Sequence, residues 1–407
     1  GKPYGGTDPA DSSGVLRYVR VWHGGAVVGA DNEINGITFA GVGSGTVVEH
    51  CEVAFNLDDG FEFFGGTVNV KYLSVISVGD DAFDTDEGYQ GKGQFLFAMT
   101  GTAGNHGTEM DSRTNGNLNS QPRSHPAWYS MTPAWYSMTI VGGGSEATGD
   151  SANGLMRLRE GTGGKFGNVV LAHAQSIGVR NDNCGSELRT STLPDASTSI
   201  GTVADGASSG YLYFSSGNII ANVPTAFSYA SGCSAGAFTA ITGVDPGFEN
   251  LQSTCLDHSC LDATFSPLPS SGGAMCSSSD GAPHGDSFFS AVSCKGAFSS
   301  PSDNWLAGWS WLACSQKLAG STCTTSVSSP FATLARVVAP LGGDLFSDTT
   351  LTASCPRGRS NSARRRPDFG SVTHCLDVVP APLAALRQVG RHPHYSCGNL
   401  HLRSTRS

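Results

Sequence analysis

The chain has 407 residues, of which 54 are Gly and only 14% are charged, and this composition favours turns and strands over helices. Its net charge is −10, and no apolar run reaches the ~20 residues that a membrane-spanning helix needs. We therefore expect no nucleic-acid partner and no membrane span, because an acidic body repels phosphates and anionic lipid headgroups.

Twelve Cys residues are present, eight of them between Cys233 and Cys355, and no CxxC pair occurs. The missing CxxC argues against a zinc ribbon or a thioredoxin-like redox site. Disulfides are the favoured use, so we expect a protein that is secreted or displayed at the cell surface. The chain begins at Gly1 without a Met or a signal peptide, and we expect a fragment or a mature product.

A short motif recurs along the first 230 residues: a polar residue, a small residue, and then alternating side chains. Examples are INGITF at 34–39, DDGFEF at 58–63 and DDAFDT at 80–85. The small residues are Gly36, Gly60, Ala82, Gly154, Gly178 and Ala226. They are 24, 22, 72, 24 and 48 residues apart, so all intervals but one are multiples of 24. We expect these residues at sharp corners or at positive φ.

A second series of segments precedes the first and alternates apolar with polar residues, as half-buried strands do. Its members lie at 14–21, 45–53, 66–75, 135–141, 167–172 and 217–221. Short strands, Gly-rich corners and a period of about 22–24 residues predict an all-β fold, a right-handed parallel β-helix. A β-sandwich is the alternative, but it does not predict a regular interval.

The polar segment 101–134 interrupts the motif, and we interpret it as a protruding loop. The heptad PAWYSMT occurs at 126–132 and again at 133–139. One copy is expected to lead into the strand, and the other is a bulged duplication or an artefact of the sequence.

Three regions follow from these patterns: the β-helix over 1–250, a Cys/Ser-rich segment with a Trp-containing cap over 251–345, and a basic tail over 346–407. Trp305, Trp309 and Trp311 are expected to cap the open end of the solenoid by packing, with stacking on sugar rings as the alternative. From Pro356 onward the chain has nine Arg and two Asp. This tail lacks strand periodicity, and we expect it to be disordered or an artefact such as a misread frame, with a basic interaction arm as the alternative.

Several segments together resemble a family of secreted right-handed β-helix proteins of the pectin-lyase-like type, many of which occur on cell surfaces. The segments are SGVLRYVRV at 13–21, NEINGITFAGVGSGT at 32–46, DDGFEFFGGTVNVKYL at 58–73, GDDAFDTDEGYQGKGQF at 79–95, and KGAF followed by NWLAGW within 295–309. The resemblance implies the fold and an extracellular setting, and it implies no established activity.

The acids of this region allow an enzymatic interpretation. In a turn of about 22 residues, Asp58 stacks on Asp80 and Asp59 on Asp81, about 5 Å apart. The order Asn56-Leu57-Asp58, Asp80-Asp81, Asn105-His106-Gly107 and Arg157-Leu158-Arg159 also resembles the catalytic motifs of polygalacturonase-type glycosidases. Leu57 stands where that pattern has Thr, and the Arg pair departs from Arg-x-Lys. If the protein is an enzyme, the candidates are Asp58, Asp80, Asp81, His106 and Arg157.

Two other interpretations of the acids remain open. Asp58, Asp80, Asp84 and Asp86 provide oxygens of the kind that Ca²⁺ prefers, so a bound calcium ion is one hypothesis. Corner residues are the other, because Asp and Asn side chains bond to turn backbone, and Asn35 and Asn153 occupy the position of Asp59 in other turns. We favour a non-catalytic structural or polysaccharide-binding protein, with a polysaccharide hydrolase or lyase as the alternative.

Overall fold

The structure is a computed structural model. It describes residues 4–28, 33–112, 124, 134–144, 147, 154–183, 212–231, 233, 238–250, 264–279, 286–323 and 400–403. Two parallel sheets dominate this part of the chain, and successive strands alternate between them, so that the chain winds as a parallel β-helix. The predicted fold is confirmed.

The first sheet, sheet A, contains the longer strands. In spatial order they are β1 (Val15–Arg17), β4 (Val47–Ala54), β6 (Asn69–Ile76), β8 (Gly93–Gly101), β10 (Ala134–Gly142), β12 (Gly164–Ala172), β15 (Ile219–Ala221) and β17 (Ile241–Thr242). Two further short strands belong to this sheet: β2 (Arg20–Trp22) pairs with β4, and β14 (Leu212–Phe214) pairs with β12. The alternating segments identified in the sequence all contribute strands to this sheet.

The second sheet, sheet B, contains the recurring corner motif. Its strands are, in spatial order, β20 (Leu400–Arg403), β3 (Ile37–Ala40), β5 (Phe61–Phe64), β7 (Phe83–Asp86), β9 (Thr108–Met110), β11 (Met156–Leu158), β13 (Ile177–Asn181) and β16 (Thr225–Tyr229). Residues 108–110 therefore form a strand of sheet B within the segment 101–134, which we expected to be a loop. Of the duplicated heptad, the second copy enters β10, and the first lies outside the described residues.

Sheet A bends along a row of residues in the left-handed backbone region. Tyr18, His50, Tyr72 and Phe95 have φ between 54° and 62°, although this region is uncommon for residues other than Gly. Their rings stack on the outside, with centroids 4.8, 4.4 and 4.7 Å apart in succession. Stacking of large rings in neighbouring turns supports the bend at each level of the solenoid.

The interior of the solenoid is apolar and tightly packed. Phe61 and Phe83 are fully buried, and their rings stack 5.9 Å apart. A Cβ on Gly60 would lie 2.5 Å from the carbonyl oxygen of Ala82 and 2.8 Å from Cγ1 of Val75. Gly60 does not have a left-handed φ, so close packing, rather than the positive φ that we considered, requires a small residue there.

The segment 264–323 packs against the flank of the solenoid. It contains β19 (Ser266–Pro269), which is antiparallel to β18 (Phe248–Asn250), a 3₁₀ turn at Ala274–Cys276 and the helix α1 (Trp311–Cys314). Its apolar side chains form one cluster with outward residues of sheet A, including Ile76, Phe97 and Val141. We expected a cap over the open end, whereas these residues cover a lateral face.

Two disulfides, Cys276–Cys294 and Cys314–Cys323, close loops in this flanking segment. Cys233 is also disulfide-bonded, whereas Cys51 is a buried free thiol. The expected disulfide chemistry is therefore present. Within the described part of the chain, no helix has the length and apolar character to span a bilayer.

The basic tail departs from expectation at one point. Leu400–Arg403 forms β20 and pairs in parallel with β3. Only four residues alternate here, which is too short a run for periodicity to stand out in the sequence.

Candidate functional site

Three residues stack at the corner that precedes the strands of sheet B. Asp59 Oδ1 accepts the backbone N–H of Asp81 at 2.9 Å. Asp81 Oδ1 accepts the backbone N–H of His106 at 2.6 Å and lies 2.8 Å from Nδ1 of the same histidine. All three are at most 6% exposed. Asp59 and Asp81 therefore bond to the backbone of the next turn, as the corner interpretation predicts.

His106 occupies a different environment from the one that we expected. It precedes β9 directly at the corner of a regular turn, instead of lying in a long irregular loop. Burial lowers the pKa of its imidazole to about 4, although the charge of Glu109 opposes the shift. The ring is neutral at neutral pH, and its Nε2 is buried without a hydrogen-bond partner.

The outer face of sheet B has two parallel rows of side chains, all of them polar except Phe64. Residues of the strands alternate between the core and this face, so the outward positions of successive strands are neighbours. The first outer row consists of Thr38, Glu62, Asp84, Glu109, Arg157 and Arg180. The second outer row consists of Phe64, Asp86, Asp111, Arg159 and Asp182.

Arginines of the two rows pair with the acids that lie beside them. Arg157 contacts Glu109 Oε1 through Nη1 at 2.7 Å and Asp182 Oδ2 through Nη2 at 3.0 Å. Arg159 Nη2 lies 2.6 Å from Glu109 Oε2 and 2.9 Å from Asp111 Oδ2. Arg180 Nε lies 2.9 Å from Asp182. This end of the face is a network of charge-assisted hydrogen bonds.

The opposite end of the face, on β5 and β7, is acidic. Possible ligand oxygens of Asp59, Glu62 and Asp84 all lie within 4.8 Å of one another. Burial raises the pKa of Glu62 well above its usual range, and the charge of Asp58 adds to the rise. Burial likewise raises the pKa of Asp84, and Asp59 adds to it. Asp84 is partly exposed, but its Oδ1 is buried and has no hydrogen-bond partner.

Asp58 and Asp80 form a second acidic group with Asp59 at the corner, again with oxygens within 4.8 Å. Burial raises the pKa of Asp58 to about 6, and the neighbouring charge of Asp80 contributes. Asp80 Oδ1 accepts a hydrogen bond from the Asn105 amide at 2.7 Å. The predicted stacking of Asp58 on Asp80 is present.

The calcium hypothesis named Asp58, Asp80, Asp84 and Asp86 as one ligand set, and these four do not converge. Asp58 and Asp80 meet at the corner, Asp84 groups with Glu62, and Asp59 belongs to both groups. Asp86 lies in the second outer row, where its Oδ1 accepts the N–H of Glu87 at 2.6 Å. The pairs are separated because alternation places Asp84 and Asp86 in different rows from the corner acids.

The enzyme candidates are brought together in pairs. Asp58 meets Asp80, and Asp81 meets His106. Arg157 lies on the same face, but its guanidinium is held by Glu109 and Asp182.

A family model described as a pectate-lyase-like beta helix domain matches residues 1–239, which is more than half of the chain. The chain belongs to this family. No curated protein and no solved structure matches the chain. The family accounts for the two long parallel sheets and for the resemblance of the corner segments.

The tryptophans considered as sugar-stacking residues lie on the flank of this β-helix, away from the two outer rows. Trp305 and Trp309 are each 8% exposed. The ring of Trp305 contacts His50 and Tyr72, and the ring of Trp309 contacts Tyr18 and His50. Trp311 packs edge-on against Phe55 at 4.7 Å. These contacts support the packing alternative over sugar stacking.

Four charged residues of the two outer rows were not predicted from the sequence, namely Glu109, Asp111, Arg180 and Asp182. Gly107 was the sequence signal that could have revealed this turn. Because Phe83 pairs with Thr108, Gly107 lies beside Ala82 and is the small residue of the next repeat. Glu109 follows Gly107 by two residues, as Glu62 follows Gly60 and Asp84 follows Ala82. The interval of 25 residues from Ala82 to Gly107 and the polar surroundings concealed this repeat.

Proposed function

We propose that the protein is an extracellular, non-catalytic polysaccharide-binding protein that holds its ligand on the outer face of sheet B. One observation carries the proposal. Partly exposed polar side chains occupy two adjacent rows on successive turns: Asp84, Asp86, Arg157, Arg159 and Arg180. Carboxylates and guanidinium groups arranged in this way accept from and donate to the hydroxyl groups of sugars.

The geometry of the solenoid suits a linear polymer. Adjacent turns of a parallel sheet are spaced by about 4.8 Å, so the same kind of contact recurs along the axis. Buried Glu109 and Asp182 fix the guanidinium groups of Arg157 and Arg180. Such preorganisation reduces the entropy that would be lost when a ligand binds.

A binding role fits the chemistry of the face better than a catalytic one. Arg157 and Arg159 each contact two carboxylates, so both guanidinium groups are held in ion pairs within the face. Asp59 and Asp81 are occupied by the backbone of the next turn. Of the acids named as enzyme candidates, Asp81 is therefore engaged by the hydrogen bond that it accepts at the corner.

The acids of the two rows outnumber the arginines, and this balance favours neutral or amine-bearing polysaccharides over uronic acid polymers. The disulfides Cys276–Cys294 and Cys314–Cys323 are compatible with an extracellular location, because disulfides persist in oxidising compartments.

Binding is tested by calorimetry with dextran, xyloglucan, soluble chitosan and polygalacturonate. We expect binding to a neutral or amine-bearing polymer, and a loss of about tenfold in affinity in Asp84→Asn/Arg180→Gln, corresponding to about 1.4 kcal/mol. The control is Glu49→Gln, which changes an acid of sheet A that pairs with Arg17. Absence of binding to every polymer, or equal losses in both variants, would contradict the proposal.

A hydrolase is the second candidate, and one observation favours it. Glu62 and Asp84 are register partners, and burial raises the pKa of both. A glycosidase needs a protonated carboxylic acid beside an ionised one. Release of reducing sugar from the same polymers, abolished in Asp84→Asn, would replace the binding proposal with this one.

A further inference from the structure

Within the part of the chain that the structure describes, the acidic end of sheet B has none of the arginine partners that the other end has. Asp58, Asp59, Asp80, Glu62 and Asp84 cluster on two successive turns. Among the residues that the structure describes, no Lys or Arg forms an ion pair with any of these five. On β9 and β11, by contrast, Arg157 and Arg159 neutralise their neighbours.

The strand β20 pairs at this acidic end. Sheet B runs from β20 through β3 to β5 and β7, so the tail strand lies two strands from the first acids of the cluster. The register places His401 beside Thr38 in the first outer row and Arg403 beside Ala40 next to the second. Leu400 and Leu402 take the register positions of Ile37 and Phe39, which belong to the core.

We propose that the basic C-terminal arm, residues 356–407, is an integral partner of the acidic end of sheet B, docked through β20 and held there by its positive charge. The apolar and basic residues of LHLR alternate with the period of a strand. The two Leu fall at register positions of core residues, and His401 and Arg403 fall at positions of the outer face.

Charge complementarity supports this choice of occupant. The arm carries nine of the 24 basic residues and two of the 34 acidic ones, so it is strongly positive while the remainder of the chain is strongly negative. Clustered carboxylates in a half-buried site raise one another's pKa unless a cation approaches. The arm is therefore the segment of this chain that can best relieve the repulsion on β5 and β7.

A disulfide trap in the full chain tests the docking. Neighbouring strands are about 4.8 Å apart, which lies within the Cα separations that a disulfide spans. Thr38→Cys/His401→Cys is oxidised at low salt, and the bond is identified by mass spectrometry of the linked peptides. The matched control, Thr38→Cys/Ser407→Cys, places the second thiol outside the paired strand. We expect the first pair to crosslink at least about five times faster, in accord with the proximity effect.

Charge is tested with the same cysteine pair. We expect about 1 M salt, which shortens the Debye length to about 3 Å, to slow crosslinking by about threefold. Glu62→Gln/Asp84→Asn should slow it similarly, and Glu49→Gln should not. Equal rates for the two cysteine pairs would overturn the docking. Crosslinking rates that change neither with salt nor with the acid substitutions would overturn the claim that positive charge holds the arm in place. If the acid variant folds poorly, the salt series still tests this claim.

Discussion

Asp59 Oδ1 accepts the backbone N–H of Asp81 at 2.9 Å, one turn further along the solenoid. Asp81 makes the same bond to His106 at 2.6 Å. The two aspartates thus link consecutive turns at their corners, while the neighbouring Glu62 and Asp84 lie on the outer face of sheet B. Adjacent residues of the same motif therefore have different roles: one set holds the corners, and the other forms the charged face.

Close packing at the corner predicts the effect of Gly60→Ala. The new Cβ would approach the carbonyl oxygen of Ala82 to 2.5 Å, and the backbone must shift to admit it. We expect a loss of about 1–3 kcal/mol in the free energy of unfolding, as is typical of overpacking, measured by urea denaturation. At Gly272 a Cβ would meet nothing within 4 Å, so Gly272→Ala is the control, and equal effects in both variants would contradict the packing account.

Burial of Glu52 predicts a pH-dependent stability. This carboxylate is fully buried and accepts hydrogen bonds from Trp22 Nε1 at 2.9 Å, Ser74 Oγ at 2.9 Å and the backbone N–H of Trp311 at 2.6 Å. Burial raises its pKa from 4.5 to about 7, although the hydrogen bonds oppose the rise. The folded state therefore binds a proton more tightly than the unfolded chain, so this group lowers stability as pH rises from 4.5 to about 7.

Glu52→Gln removes this titration. We expect the variant to gain stability relative to the parent protein as the pH is raised from about 5 to 8, followed as the difference in Tm. Glu49→Gln provides a partly exposed control on the same strand. A difference in Tm between Glu52→Gln and the parent that stays constant over this pH range would show that Glu52 does not titrate as described.

The flanking segment depends on its disulfides. Cys276 and Cys294 are 18 residues apart, and a crosslink over a loop of this size stabilises a fold by about 3 kcal/mol in the chain-entropy model. We expect Cys276→Ser/Cys294→Ser to lower the Tm and to reduce the further effect of dithiothreitol. Because the strands of sheet A and of sheet B pair without this disulfide, circular dichroism should still report β structure at low temperature.

Trp309→Ala separates packing from sugar stacking on the flank. Trp309 contacts Tyr18 and His50, and its indole N–H donates to the carbonyl oxygen of Trp305 at 2.6 Å. Truncation of a buried Trp costs about 3–5 kcal/mol, so we expect a lower free energy of unfolding with unchanged polysaccharide affinity. Loss of affinity with unchanged stability would favour the stacking alternative.

The β-helix could be predicted because its determinants are local and repeated. The corner at Gly60 and Ala82 recurs after 22 residues, and the strands between them alternate in polarity. The reason for the small residue could not be read from the sequence, because it depends on a side chain of sheet A, Val75, that packs beneath Gly60.

The charged face was only partly predictable. Stacking of Asp58 on Asp80 follows from the repeat, whereas the contact of Arg157 with Glu109 joins residues that are 48 positions apart across an interrupted turn. The face of the solenoid that the Trp-containing segment covers could not be predicted either, because a sequence shows that an apolar cluster must be covered but not by which part of the fold.

Carboxyl footprinting tests the central claim most directly. Asp84 and Asp86 are partly exposed in the two outer rows, and Glu49 is a comparable acid on sheet A. The rates at which a carbodiimide and an amine label these residues are measured with and without the polysaccharide that binds most tightly. Our account predicts slower labelling of Asp84 and Asp86 in the complex and an unchanged rate at Glu49. Binding that leaves the rates at Asp84 and Asp86 unchanged would contradict it.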